Sequence, residues 1–243
     1  MIPRTIHYFW FGRGEKPELV RKCIGSWKMY LPDYELKEWN EDNFDVDAIP
    51  YTKDAYAAGA YAFVSDYARF KVLHEHGGLY FDTDVELIRP LDGIVSAGPF
   101  FAMESDGSRS PLAVNPGLGL GAEPGMELYR EILERFAGMS FLAPDGSRNP
   151  YSMIPMVTEL LSARGLKGSG GMVDGFMVYP PRCFNPFDDA TGRLRVTADT
   201  VAIHWYAKSW MQDEPSSAVQ LKRLLRRVFG TGTVSRIGRL FKK

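Results

Sequence analysis

The chain has 243 residues, 45% of them apolar and 24% charged, and a formal net charge of −1. That length suffices for one well-packed domain, and the composition is ordinary for a soluble globular enzyme. No apolar run approaches the ~18 residues that a membrane-spanning helix needs.

The start, Met1-Ile2-Pro3-Arg4-Thr5, lacks a signal-peptide core and runs straight into an aromatic stretch. Residues 4–12 (RTIHYFWFG) are β-branched and aromatic and close on glycine, which predicts a first strand. Residues 17–31 place Leu19, Val20, Cys23, Ile24 and Trp27 at helical spacing, with Pro17 suited to the first turn and Pro32 to a stop. Residues 34–39 alternate like a second strand and end at Asn40-Glu41-Asp42-Asn43. Strand, helix, strand is the opening of an α/β sheet. A second helix is predicted over 60–76, with Gly77 after its end. Asp66 and Arg69 are i,i+3 neighbours on it, beside Ser65.

The next stretch is Gly77-Gly78-Leu79-Tyr80-Phe81-Asp82-Thr83-Asp84-Val85. Read as a strand, it turns Asp82 and Asp84 to one side, where both reach one cation. Hard ions such as Mg²⁺ or Mn²⁺ combine carboxylate oxygens with substrate phosphates. The pair alone is weak: with 16 Asp in the chain, about one Asp-x-Asp arises by chance. Asp45-Val46-Asp47 is a second, read as a solvated turn.

Further strands are predicted at 85–88 and 99–103, then a glycine-rich turn at 115–121 that lacks the Gly-Lys-Ser/Thr ending of a phosphate loop. Helices follow at 125–136 and 152–164, and a buried strand at 200–204 precedes Trp205-Tyr206-Ala207-Lys208-Ser209-Trp210. Cys23 and Cys183 form neither a metal motif nor a disulfide framework, so a reduced, cytoplasmic setting is expected. From Pro215 onward there are eight Lys or Arg and no acid, leaving 21 basic against 30 acidic residues elsewhere. The tail alternates Val219, Leu221, Leu224, Leu225, Val228 and Phe229 with Lys222, Arg223, Arg226 and Arg227, and a similar pattern follows to Lys243. A basic amphipathic helix of this kind suits an anionic membrane surface at the inner face of the cell membrane. It carries no nucleic-acid motif. The expected division is a catalytic domain over 1–214 and a tail over 215–243.

Several separated pieces together resemble a known family. They are residues 2–10 (IPRTIHYFW), Ser26-Trp27, Pro32-Asp33-Tyr34-Glu35, Trp39-Asn40, residues 62–69 (AFVSDYAR), residues 77–84 (GGLYFDTD), Ile203-His204-Trp205 and Ser209-Trp210. In this order they are similar to the DXD-motif sugar transferases (glycosyltransferase family 32), akin to initiating mannosyltransferases, bacterial capsular transferases and clostridial glucosylating toxins. The resemblance implies a GT-A fold, a Rossmann-like mixed sheet flanked by helices. It also implies a nucleotide-sugar donor, UDP-linked first and GDP-mannose second, a glycan or lipid-linked glycan acceptor, a divalent metal and retention at the anomeric carbon. Asp82 and Asp84, with His204, would hold Mn²⁺ or Mg²⁺. Asp66 and Arg69 would meet the donor sugar and act in catalysis with Asp82 and Asp84. Tyr8, Phe9, Trp10, Asn40, Ser65, Tyr80, Thr83, Asn115, Lys208, Ser209 and Trp210 complete the expected donor site, Trp10 stacking on the base. His204-Trp205-Tyr206-Ala207-Lys208-Ser209-Trp210 departs from the family's usual His-Trp-Ala-Gly-Ser-Trp. Two other readings are a haloacid dehalogenase-like phosphatase, with Asp82 as nucleophile and Asp188-Asp189 as later metal ligands, and a non-catalytic binding protein.

Overall fold

The computed structural model describes residues 1–108, 110–149, 152–207 and 223–226. It opens with β1 (Thr5–Phe9), α1 (Glu18–Tyr30) and β2 (Glu35–Trp39), close to the expected bounds. Then come α2 (Pro50–Ala57), for which no helix was expected, α3 (Tyr61–His76), β3 (Gly78–Tyr80), β4 (Val85–Leu87) and α4 (Asp92–Ser96). β5 (Phe100–Ser105), β6 (Ala113–Val114), β7 (Leu120–Ala122), α5 (Glu127–Ala137) and α6 (Met153–Ala163) follow. The last elements are β8 (Gly171–Val173), β9 (Phe176–Tyr179), α7 (Pro181–Phe184), β10 (Phe187–Asp188), β11 (Arg193–Leu194) and β12 (Ala202–His204).

The central sheet runs β2-β1-β3-β7-β5-β9-β8, with β6 also on β5. β1, β2, β3, β5 and β9 share one direction, while β6, β7 and β8 oppose it. This is the mixed α/β sheet flanked by helices that the sequence led us to expect. Period-two alternation divides its side chains between two cores. Phe9, Tyr80, Phe101 and Met103 face the core under α2, α3, α5 and α6. Tyr8, Leu79, Phe81, Phe100 and Ala102 face the core that holds Trp27 of α1 and Phe184 of α7.

Gly77 (φ 64°) and Gly78 (φ 101°) allow the sharp exit from α3 into β3. A Cβ on Gly77 would meet Pro124 Cδ at 2.7 Å and Ala122 O at 2.9 Å, and one on Gly78 would meet Thr5 O at 2.7 Å. The same corner fixes His7. Its Nε2 donates to Gly77 O (3.0 Å) while Nδ1 accepts from Trp39 Nε1 (3.0 Å), so only the neutral ring satisfies both. Burial pushes the His7 pKa down to about 4, outweighing its bond to Gly77.

One expectation is corrected. Asp82 and Asp84 are not in a strand: β3 stops at Tyr80, and residues 82–85 form a turn closed by Val85 N→Asp82 O (3.0 Å). Strand alternation therefore does not align the two carboxylates; the turn and its neighbours do. α1 holds the far side of that turn. Trp27 Nε1 donates to Val85 O (2.8 Å), and Ser26 Oγ accepts from Leu87 N (2.9 Å), which gives the Ser26-Trp27 piece a structural purpose.

Candidate active site

At the ends of β1, β3 and β5 lies a cavity of about 600 Å³, within the usual range for small-ligand sites. Parallel strands end here, and their terminal loops are free to carry side chains toward a ligand.

The turn carrying Asp82 and Asp84 is completed from 120 residues away. β12 pairs antiparallel with β4, putting His204 opposite Val85. His204 Nε2 then stands 3.1 Å from Asp84 Oδ1. Asp84 Oδ2 accepts from Ala207 N (2.7 Å), and Asp84 O accepts from Trp205 N (3.0 Å). Burial alone would raise the Asp84 pKa, but His204 outweighs it and the net shift is downward. Burial would lower that of His204, and Asp84 outweighs it upward. Each thus favours the other's charged form.

Asp82, Asp84 and His204 offer one ligand atom each, all within 4.8 Å of one another, the one such group among the described residues. Two hard carboxylate oxygens with one imidazole form a donor set suited to Mn²⁺ or Mg²⁺. Two details fit a cation there. His204 Nδ1 is buried without a hydrogen-bond partner, and Gly117 leaves the Asp82 carboxylate its room. A Cβ on Gly117 would lie 2.1 Å from Asp82 Oδ2. The Gly117 carbonyl also accepts from Asp82 N (3.0 Å), while its N–H donates to Asn115 Oδ1 (2.8 Å). Asn115 is thereby stitched to the motif.

Beneath the turn sits Arg69, its side chain 3% exposed. Its Nη2 donates to Asp66 Oδ1 (2.8 Å) and its Nη1 stands 3.3 Å from Asp82 Oδ1. Nε donates to Ser65 O (2.9 Å), and the guanidinium lies 4.7 Å from the Tyr80 ring centre. Tyr80 in turn donates its hydroxyl to Asp82 Oδ1. Burial opposes the charge on Arg69, but Asp82, Tyr80 and Asp66 raise its pKa overall. Burial pushes the Asp66 carboxyl up to about 7, with Arg69 pulling it down and Asp82 pushing it up. One arginine thus serves two carboxylates, and Asp66 and Asp82 are drawn toward the same point.

Of the expected donor residues, Phe9, Trp10, Ser65, Asp66, Arg69, Tyr80, Asp82, Thr83, Asp84, Asn115 and His204 line the cavity. Trp10 uses its indole N–H on Gly14 O (2.7 Å), and Phe9 is packed among Phe11, Phe44 and Tyr80. Tyr8 and Asn40 do not line it. Tyr8 falls on the opposite face of β1 from Phe9, and its hydroxyl donates to Glu38 (2.7 Å). The Asn40 side chain accepts from Asp42 N (2.9 Å) in a local turn. Lys208, Ser209 and Trp210 lie outside the described residues. Asp45 and Asp47 form an exposed turn, with Asp47 N donating to Asp45 Oδ1 (3.0 Å). Asp188 and Asp189, the ligands of the phosphatase reading, are not in the cavity wall; Asp188 accepts from Thr191 (2.7 Å) and Asp189 pairs with Arg223 (2.7 Å).

Sequence reasoning missed Glu104, Tyr206 and the wall formed by Arg148, Asn149, Ser152, Met153 and Ile154. A signal for Glu104 existed, because it continues a predicted strand past Met103 into the region where strand ends bind ligands. The wall had no such signal. Its Arg148 is paired by an isolated bridge with Leu142, a contact that spacing does not reveal.

Residues 17–101 match the family described as "Glycosyltransferase sugar-binding region containing DXD motif". Inositol phosphoceramide mannosyltransferase 3 of Schizosaccharomyces pombe is 30% identical over 101 residues, covering 39% of this chain and 27% of that protein. The chain thus spans about a quarter of the length of the curated relative it matches. Among solved structures, PaToxG glycosyltransferase is 18% identical, with a TM-score of 0.46, over 56% of this chain and 61% of that one. A glycosyltransferase involved in glycosylating the major capsid of PBCV-1 is 11% identical, with a TM-score of 0.48, over 83% of this chain and 93% of that one.

If Gly117 is what keeps the Asp82 carboxylate in place, Gly117→Ala should weaken Mn²⁺ binding about 10- to 100-fold without removing any ligand atom. Titration calorimetry of wild type and variant checks this, and equal affinities would remove Gly117 from the account.

Proposed function

We propose that this protein is a metal-dependent, retaining glycosyltransferase that moves a hexose from a nucleotide sugar to a glycan or lipid-linked glycan. The observation that carries the reading is the Asp82/Asp84/His204 group at the floor of the cavity, one strand away from Trp10. UDP-linked donors are the first choice. GDP-mannose is the second, and the mannosyl activity in the name of the fission-yeast relative supports keeping it in view.

Cleavage of a nucleotide sugar at its anomeric C–O bond leaves a diphosphate, whose negative charge grows in the transition state. A divalent ion on Asp82, Asp84 and His204, Mn²⁺ or Mg²⁺, would supply the Lewis-acid stabilisation of that leaving group. The residues themselves position the donor. Trp10 presents a ring for the base, a contact worth roughly 1–3 kcal/mol in nucleotide binders. Its N–H is already bonded to Gly14, so the indole is held for stacking rather than free to turn. Asp66, oriented by Arg69, accepts from hydroxyls of the sugar. Arg69, fully enclosed, acts by fixing Asp66 and Asp82 rather than by reaching for phosphate.

The test is a donor-hydrolysis panel with Mn²⁺, scoring release of UDP or GDP. Wild type should release nucleotide from at least one sugar donor, and Asp84→Asn should lose at least about 100-fold in rate. No release from any donor, or a fully active Asp84→Asn, would count against the reading.

For the tail we propose attachment to the anionic inner face of the cell membrane, in a bacterial cytoplasm, beside a lipid-linked acceptor. The described residues contain no helix long and apolar enough to cross a membrane. Of the tail, residues 223–226 are described and helical. Arg223 pairs with Asp189 (2.7 Å) and lies over the Phe187 ring (5.4 Å), while Leu224 is exposed. Deleting residues 216–243 should abolish co-sedimentation with phosphatidylserine vesicles; undiminished binding would refute the attachment.

A further inference from the structure

Among the described residues four carboxylates line the cavity, and three pair with Arg69 or His204. Asp66 and Asp82 share Arg69, and Asp84 has His204. Glu104 differs. Among the described residues its carboxylate is held by a neutral donor: Asn115 Nδ2 gives a hydrogen bond to Oε2 (2.9 Å). Asn185 ties this arrangement together. Its Nδ2 donates to Glu104 O (3.2 Å), and its Oδ1 accepts from the Tyr206 hydroxyl (3.1 Å). Tyr206 holds a left-handed backbone (φ 52°) that a side-chain-bearing residue rarely adopts, and its ring centre is 4.1 Å from that of His204. Among the described residues Glu104 has no salt bridge, and Asn115 and Asn185 fix it at the cavity wall.

Its position follows from the order of strands. Trp10 follows β1, Asp82 follows β3, and Glu104 is the second-last residue of β5, all at the same edge of the sheet. β7 lies between β3 and β5, so Glu104 is two strand spacings beyond the metal turn, roughly 10 Å, and Trp10 is one spacing on the other side. A nucleotide sugar has the same linear order of base, diphosphate and sugar. With the base at Trp10 and the diphosphate at Asp82 and Asp84, the sugar lies between the metal turn and Glu104.

Resting on the transfer reading above, we propose that Glu104 faces the transferred sugar and stabilises the positive charge that grows at its anomeric carbon. Departure of the diphosphate leaves that carbon oxocarbenium-like. A preorganised carboxylate at the cavity wall is the group that favours such a charge. No covalent bond to Glu104 is invoked: the electron pair of the breaking C–O bond leaves with the diphosphate.

The test separates charge from shape. Protonated 1-deoxy-iminosugars of gluco, galacto and manno configuration, each with UDP or GDP and Mn²⁺, should bind Glu104→Gln at least tenfold more weakly than wild type. The neutral 1,5-anhydrohexitols should bind both proteins within threefold, as should the nucleotide–Mn²⁺ pair alone. Glu104→Asp, which keeps the charge, should recover part of the iminosugar affinity. In turnover, Glu104→Gln should lose about 100-fold in kcat with little change in KM for the donor. The proposal is overturned if wild type binds no iminosugar, if Glu104→Gln binds it equally well, or if neutral and charged ligands are lost together. Wild-type turnover matched by Glu104→Gln overturns the role of Glu104 and leaves the transfer reading standing, whereas a wild type that releases nucleotide from no donor overturns both.

Discussion

A buried guanidinium shared by two carboxylates is the constraint on which the site depends. Arg69 is enclosed on α3 and reaches Asp66 one turn back on its own helix and Asp82 beyond β3. Isolated burial of such a charge is costly, and the cost falls only when partners and hydrogen bonds surround it. Here they do, through Ser65 O, Asp66, Asp82 and the face of Tyr80. The consequence is geometric. A helix residue suited to meet a sugar and a turn residue suited to hold a metal are locked to the same point. Neither can drift without leaving Arg69 exposed to an apolar surrounding.

The rest of the molecule serves to bring loops to that point from far apart in sequence. α1 fastens the turn through Ser26 and Trp27, and β12 delivers His204 by pairing with β4. Asn115 and Gly117 press against Asp82 from the β6–β7 loop. On the other side of the turn, β5 supplies Glu104. The cavity edge is thus a row of strand ends, and the sheet order sets the order of chemical environments along it: aromatic, then the Asp82/Asp84/His204 group, then a rigid carboxylate.

Much of this was legible beforehand, for identifiable reasons. β1, α1, β2 and α3 announced themselves through local periodicity and through Pro17, Pro32 and Gly77. The i,i+3 spacing of Asp66 and Arg69 is a property of a helix alone. The Asp82/Asp84 alignment was read from the wrong local rule, because two glycines and a three-residue strand end in a turn that spacing does not distinguish from a longer strand. The His204 position depends on a ladder closing about 120 residues of chain, so only resemblance to other sequences pointed to it. Tyr8 stands one step of strand alternation from Phe9 and so falls on the face of β1 away from the cavity. Glu104 and the Arg148 wall were invisible because their meaning comes from neighbours contributed by other segments.

The dependence on Arg69 can be measured directly through stability, in the presence and absence of Mn²⁺. Without metal, Arg69→Met leaves the partly buried Asp66 and Asp82 beside each other with no compensating charge, a loss of about 2 to 3 kcal/mol. A cation at the Asp82/Asp84/His204 group restores one of the missing charges. Urea unfolding in EDTA should therefore show the full deficit relative to wild type, and unfolding in saturating Mn²⁺ should show no more than about half of it. A deficit below about 1 kcal/mol in EDTA, or one that Mn²⁺ leaves unchanged, would contradict the account.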